Sequence, residues 1–165
     1  MDNNKNQFFN KVEQQLVKQG LKLSAKDFNR PWGGFFVIDE EQAQYFADLY
    51  FDGINVDELR IGGKLSPKVL VVAPEQRLSW QYHHGRAEIW QVIEGNVGIV
   101  RSDTDLEGEL KIYHKQERIV LKQGERHRLI GLSDWGIVAE IWQHTNPGNP
   151  SDENDIVRIQ DDYSR

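Results

Sequence analysis

The run Lys68–Ser102, KVLVVAPEQRLSWQYHHGRAEIWQVIEGNVGIVRS, decides the fold. It holds four short stretches rich in Val, Ile, Trp and Tyr, separated by Pro74-Glu75, Gly85 and Gly95-Asn96. Such β-favouring runs between turn residues read as strands joined by tight connections. Working outward, ELKIYHK (109–115), RIVLKQG (118–124), RHRLIGL (126–132) and GIVAEIWQ (136–143) continue the pattern, and DIVRIQDDYSR (155–165) offers one more short strand. A spacing of roughly 8–12 residues predicts an antiparallel sandwich or barrel rather than βαβ units, and a double-sheet jelly roll fits the strand number.

Upstream the character differs. Phe8, Phe9, Val12, Leu16 and Val17 recur at three- to four-residue intervals before Gly20, which predicts an amphipathic helix with a glycine stop. A second helix is expected over Glu41 to Tyr50, and RPWGGFFVID (30–39) between them reads as a turn followed by a strand. The expected division is an N-terminal helical extension over 1–29 and a β-barrel over 30–165, in one domain. The fold class is mainly β with N-terminal α-helices.

Composition narrows the function. The chain has 165 residues, 20 Lys+Arg against 26 Asp+Glu, and a net charge of −6. That balance disfavours nucleic acid or an anionic membrane as partner, leaving small molecules. No Cys is present, so disulfides, thiol nucleophiles and thiolate metal sites are excluded. The first twenty residues hold no continuous apolar run, so neither a signal peptide nor a membrane span is expected, and the default location is cytoplasmic.

Metal-capable side chains concentrate in Gln81-Tyr82-His83-His84-Gly85-Arg86-Ala87-Glu88. On a strand, alternate residues share a face, so Gln81 and His83 point together. Glu88 opens the next strand, and a third can deliver His127. Two imidazoles, an amide oxygen and a carboxylate make a nitrogen/oxygen site for a divalent ion, with open positions and Lewis-acid character. The competing reading is hydrogen-bonded core histidines, but a buried carboxylate with no partner is costly.

At these residues the chain resembles the cupin superfamily, whose first motif is His-x-His, three or four residues, Glu, six residues, Gly. Here it reads Gln81-x-His83, four residues, Glu88, six residues, Gly95, and Gly124 with His127 resembles the second motif. Within the cupins it is similar to the type II mannose-6-phosphate isomerase domain. The matching runs are RPWG (Arg30 to Gly33), LSWQYHHGRAEIW (Leu78 to Trp90), HRL (His127 to Leu129) and DIVRIQDDYSR (Asp155 to Arg165). The departures are Gly85, Ile89, Glu75, Lys122, Gly131 and Ser164, together with a longer loop over Asn146 to Asn154.

The resemblance implies a cupin double-stranded β-helix with Gln81, His83, Glu88 and His127 as metal ligands and Arg86 beside the substrate. Zinc comes first as the metal, with manganese, iron, cobalt or nickel as alternatives. The implied activity is metal-dependent aldose–ketose isomerisation of a sugar phosphate, mannose 6-phosphate to fructose 6-phosphate. A cupin isomerase or epimerase for another sugar, and a non-catalytic metal- and sugar-binding cupin, are the alternatives.

Glu140 interrupts an apolar strand. It is a proton-transfer base if it faces the cavity and a surface ion pair if it faces outward. Lys68 is either a substrate contact or a solvated strand end, and Arg86 either faces substrate or braces the turn. Leu78, Trp80 and Tyr82 form an apolar set opposite the metal-facing one, which calls for cover by the N-terminal helices or by a second subunit; a homodimer is the expectation.

Overall fold

The computed structural model describes residues 2–60 and 64–163. Helix α1 (Asp2–Lys18) is followed by strands β1 (Leu23–Arg30) and β2 (Gly33–Ile38), a 3-10 turn (Glu40–Gln42), and helices α2 (Ala43–Tyr50) and α3 (Val56–Leu59). Nine strands follow: β3 (Lys68–Val72), β4 (Trp80–Tyr82), β5 (Arg86–Glu94), β6 (Val97–Ser102), β7 (Lys111–Tyr113), β8 (Arg118–Leu121), β9 (Arg126–Gly131), β10 (Gly136–His144) and β11 (Val157–Gln160). They form a six-stranded sheet, β1-β2-β3-β10-β5-β8, and a five-stranded sheet, β11-β4-β9-β6-β7, with antiparallel neighbours throughout. This is the expected mainly β, cupin-like double sheet with helices at its start.

Strand alternation divides the apolar residues into two cores. On β3 and β10, Val69, Val71, Ile137, Ala139 and Ile141 point outward, where Phe9, Val12 and Leu16 of α1 and Phe46 of α2 cover them. Their neighbours Leu70, Val72 and Val138 point inward and meet Trp90, Val92, Val97, Ile99 and Leu129 between the sheets. The aliphatic residues fill one end of the barrel. The other end is lined by Lys68, Gln81, His83, Arg86, Glu88 and Glu140, which hold open a small cavity.

Two glycines fix the framework. Gly33, in the RPWG turn, has φ +146°, and a Cβ there would lie 2.0 Å from the Val71 carbonyl oxygen. At Gly131 on β9 a Cβ would lie 2.0 Å from the Ala73 carbonyl oxygen. Neither position accepts a side chain without moving backbone.

The structure departs from the sequence reading at three places. The expected boundary at residue 29 falls inside β1, which pairs along β2, so of the expected helical extension α1 and the turn after it lie outside the sheets while β1 belongs to them. Leu78 does not share a face with Trp80 and Tyr82; it packs in the interior beside Trp90. Finally, the cover that the chain itself provides over Trp80 and Tyr82 comes from the β6–β7 connection and β9 rather than from the helices. The Trp80 indole donates to the Asp105 carbonyl at 2.7 Å, and Arg126, ion-paired with Asp105, stacks 3.8 Å over the Tyr82 ring. With the β6–β7 connection in that place, Trp80 is buried within the chain and Tyr82 half-buried.

Candidate metal centre

β4 and β9 run side by side with Gln81 opposite His127, while β5 carries Glu88 from the facing sheet. The ligand-capable atoms of His83, Glu88 and His127 lie within 4.8 Å of one another, and all three residues are buried. His127 Nε2 is 3.2 Å from Glu88 Oε1, and His83 Nε2 is 3.6 Å from Glu88 Oε2. The other ring nitrogens are committed to the backbone. His83 Nδ1 donates to the Asp155 carbonyl at 2.7 Å, and His127 Nδ1 donates to the Glu125 carbonyl at 3.0 Å. A carbonyl only accepts, so each Nδ1 carries the proton and each Nε2 has a lone pair, that of His127 facing Glu88 and that of His83 accepting from Arg86 Nη2 at 3.4 Å.

Glu88 Oε1 and His127 Nε2 are buried with no hydrogen-bond partner. Such orphans are rare and costly in a folded interior. A divalent cation between them would satisfy both, so the donor set fits a nitrogen/oxygen metal site. Gln81 lines the same cavity, where its Oε1 accepts from Ser79 Oγ at 2.6 Å.

The electrostatics fit the same centre. Burial lowers the His83 pKa to about 4, against the pull of Glu88 and with help from Arg86, so the ring is neutral at pH 7. Burial alone would raise the Glu88 pKa, but the flanking His83, His127 and Arg86 hold it well below the usual carboxylate range. Arg86 Nε donates to Glu88 Oε2 at 2.9 Å, and its guanidinium lies flat against the Trp142 ring at 3.6 Å. Arg86 therefore both braces the turn and lines the cavity.

Glu140 faces inward. Its two carboxylate oxygens accept from the Trp90 indole at 2.8 Å and the Trp142 indole at 3.0 Å. Burial first, then the nearby Glu88 charge, raises its pKa to about 7, with Lys68, Arg86 and the Trp90 bond opposing. Lys68 is no solvated strand end: its side chain is 6% exposed, its Nζ lies 4.7 Å over Phe35, and it pairs with Glu153.

Every sequence-predicted site residue thus lines one cavity, or, for His127, adjoins it. Trp142 and the 151–155 segment were missed. Trp142 shares the face of Glu140 by strand alternation and could have been read that way. Ser151, Asp152 and Asp155 sit in a turn-rich loop whose sequence carries no periodic signal. His84 stays at the rim, its backbone N–H bonded to Asp155 Oδ1 at 2.9 Å. The closing strand β11 pairs with β4 and brings Arg158 to the cavity mouth, and Tyr163 donates to Gln76 Oε1 at 2.7 Å. Ser164 and Arg165 lie outside the described residues. No helix among the described residues is long and apolar enough to cross a membrane.

Comparison with known proteins places this geometry. The family described as mannose-6-phosphate isomerase C-terminal matches residues 49–161. A mannose-1-phosphate guanylyltransferase of Escherichia coli (strain K12) is 26% identical over 166 residues, covering 99% of this chain and 29% of the relative. The guanylyltransferase ManC of Salmonella typhimurium is 30% identical over 118 residues, 72% of this chain and 23% of the relative. The alginate biosynthesis protein AlgA of Pseudomonas aeruginosa is 28% identical over 124 residues, 75% of this chain and 24% of the relative. This chain therefore spans under a third of these relatives, whose names are not those of isomerases. Among solved structures, the capsular polysaccharide assembling protein CapF from Staphylococcus aureus superposes with a TM-score of 0.53 at 14% identity, over 85% of this chain and 34% of that one. Vicilin from tomato gives 0.54 at 18% identity, over 81% and 35%. Both likenesses show the fold alone.

Proposed function

This chain belongs to the mannose-6-phosphate isomerase C-terminal family, and we propose that it is a metal-dependent aldose–ketose isomerase of a sugar phosphate, with mannose 6-phosphate and fructose 6-phosphate as the pair. The observation that carries the reading is the buried, unpartnered pair Glu88 Oε1 and His127 Nε2 beside Glu140, whose proton affinity sits near neutrality. The mannose phosphate named for the relatives supports the substrate class.

Gln81, His83, Glu88 and His127 would hold the cation, zinc first, then manganese, iron, cobalt or nickel. A bound divalent ion supplies a Lewis acid that polarises the substrate carbonyl. Glu140 takes a proton from one of the two adjacent substrate carbons and returns it to the other. A carboxyl with a pKa near 7 is suited to both halves of that transfer. The two indoles fix its oxygens in the cavity, which makes Trp90 and Trp142 positioning residues. Arg86 presents guanidinium donors to a substrate hydroxyl or to negative charge developing on oxygen. Leu70, Trp32 and Leu78 line the rest of the cavity and exclude water from the transfer.

The test is conversion of mannose 6-phosphate in a coupled assay, with solvent deuterium incorporation at C2 followed by NMR. Glu88→Ala and His127→Ala should abolish turnover, and Glu140→Gln should lower it by at least about a hundredfold. Full turnover in the first two would remove the metal from the reaction. Binding of the sugar phosphate with no exchange at C2 would identify a metal- and sugar-binding domain without catalysis.

A further inference from the structure

The connection from β10 to β11, residues 145–156, lies against the cavity's own cations, Lys68 and Arg86. Lys68 Nζ lies 2.5 Å from Glu153 Oε1, the one carboxylate in ion-pair contact with it among the described residues. Arg86 Nη1 donates to Ser151 Oγ at 2.8 Å and to the Asp152 carbonyl at 2.9 Å. The base of the connection is fixed separately, by Asp155, whose carboxylate accepts from the backbone N–H groups of His84 and Gly85 at 2.9 and 2.8 Å.

The partners of the Lys68 pair are unequal. Lys68 is rooted in a central strand with its side chain 6% exposed, whereas the Glu153 side chain is 63% exposed on a loop. A buried ammonium needs an anion, but an exposed carboxylate needs no cation, since water serves it equally well. The cavity walled by Lys68 and Arg86 is about 90 Å³, whereas small-molecule sites run to about 300–1,000 Å³. A hexose phosphate needs more room than that, and the loop occupies the two cations it would meet.

We infer that Lys68 is an anion site filled by the chain's own Glu153, and that a phosphate monoester enters by displacing that carboxylate and releasing the loop. The exchange keeps the ammonium paired at every stage, one anion replacing another. A neutral sugar offers no such replacement: lifting Glu153 for it would leave the ammonium with two aromatic rings and the Glu140 carboxyl, which is already bonded to two indoles. The identity of the anion rests on the sugar-phosphate reading above; the displacement itself does not.

The experiment uses inorganic phosphate as the probe, with calorimetric titration and amide hydrogen exchange over 145–155. Phosphate should raise exchange in this segment of the wild type, and mannose at the same concentration should not. Glu153→Gln should bind phosphate about fivefold more tightly, the change expected when one partly exposed ion pair no longer competes. Lys68→Met should show raised exchange without ligand and no response to phosphate, and in that background Glu153→Gln should gain nothing. Both variants are checked for cooperative unfolding. Equal phosphate affinity in wild type and Glu153→Gln, or a gain that survives Lys68→Met, overturns the inference. If mannose 6-phosphate turns over while those affinities are equal, this inference alone fails. If phosphate acts as stated while C2 never exchanges, the isomerase reading fails and the anion site stands.

Discussion

Replacing Glu140 by Gln should change how stability depends on pH, because two buried groups oppose each other in the wild type. The folded-state pKa of Glu140 is raised from 4.5 to about 7, so the fold keeps a proton that the unfolded chain releases. Its contribution to stability is therefore lost as pH rises from 4.5 to 7, a change of roughly 3 kcal/mol at about 1.4 kcal/mol per unit. His83 behaves in the opposite sense. Its pKa falls from 6.5 to about 4, so the unfolded chain takes up a proton that the buried ring refuses. That contribution is full above pH 6.5 and lost as pH falls toward 4, again by roughly 3 kcal/mol. Between pH 4.5 and 6.5 the two slopes cancel, and the wild type should be nearly flat. Glu140→Gln removes one slope, so its stability should climb by roughly 3 kcal/mol from pH 4 to 6.5. The amide turns an N–H toward one of the two indole donors, which lowers the variant by about 1–2 kcal/mol at acid pH. The curves should then cross between about pH 5 and 6, with the variant more stable above the crossing. Urea unfolding by far-ultraviolet circular dichroism, with EDTA present, measures both curves. Parallel profiles for the two proteins would refute the placement of an ionisable Glu140 in a dry cavity.

Other outcomes follow from the same geometry. Zinc or manganese at about a hundred times its dissociation constant should stabilise the protein by about 2.7 kcal/mol in thermal melts, and His127→Ala should lose that response. Arg128 is fully buried and donates to the Leu78 carbonyl at 2.8 Å and the Gln160 carbonyl at 3.1 Å; Arg128→Met should cost about 2–4 kcal/mol in urea unfolding. Gly131→Ala should cost at least about 2 kcal/mol, since its Cβ would meet a backbone oxygen; an unchanged midpoint would mean that β9 shifts freely.

The fold was legible because each of the later strands couples turn residues to a two-residue apolar period, as in Gly136–His144, where Ile137 and Ile141 face the helices while Val138, Glu140 and Trp142 face inward. The cavity was legible for the same reason: alternation alone places Gln81 with His83, and Arg86 with Glu88 and Trp90. β1 was not, because LSAKDFNR lacks that period. It lies at the sheet edge with mostly exposed or half-exposed residues, and its backbone pairing to β2 defines it. Leu78 was misplaced because the register against β9 shifts by one residue between Arg77–Ile130 and Gln81–His127, so strict alternation loses phase before β4. Lys68 illustrates a different gap. Its burial depends on Glu153, 85 residues away, and no local pattern signals an ion pair closed by a distant loop.

The groups that aim the two imidazoles are the main-chain oxygens of Asp155 and Glu125. A peptide oxygen is present whatever side chain is attached to it, so substitutions at those two positions leave the acceptor itself in being. The side chains that wall the chamber can therefore be exchanged while the two Nε2 atoms keep their heading. What the chamber admits and where these nitrogens aim are separable properties in this architecture, because they are written in different parts of the polypeptide.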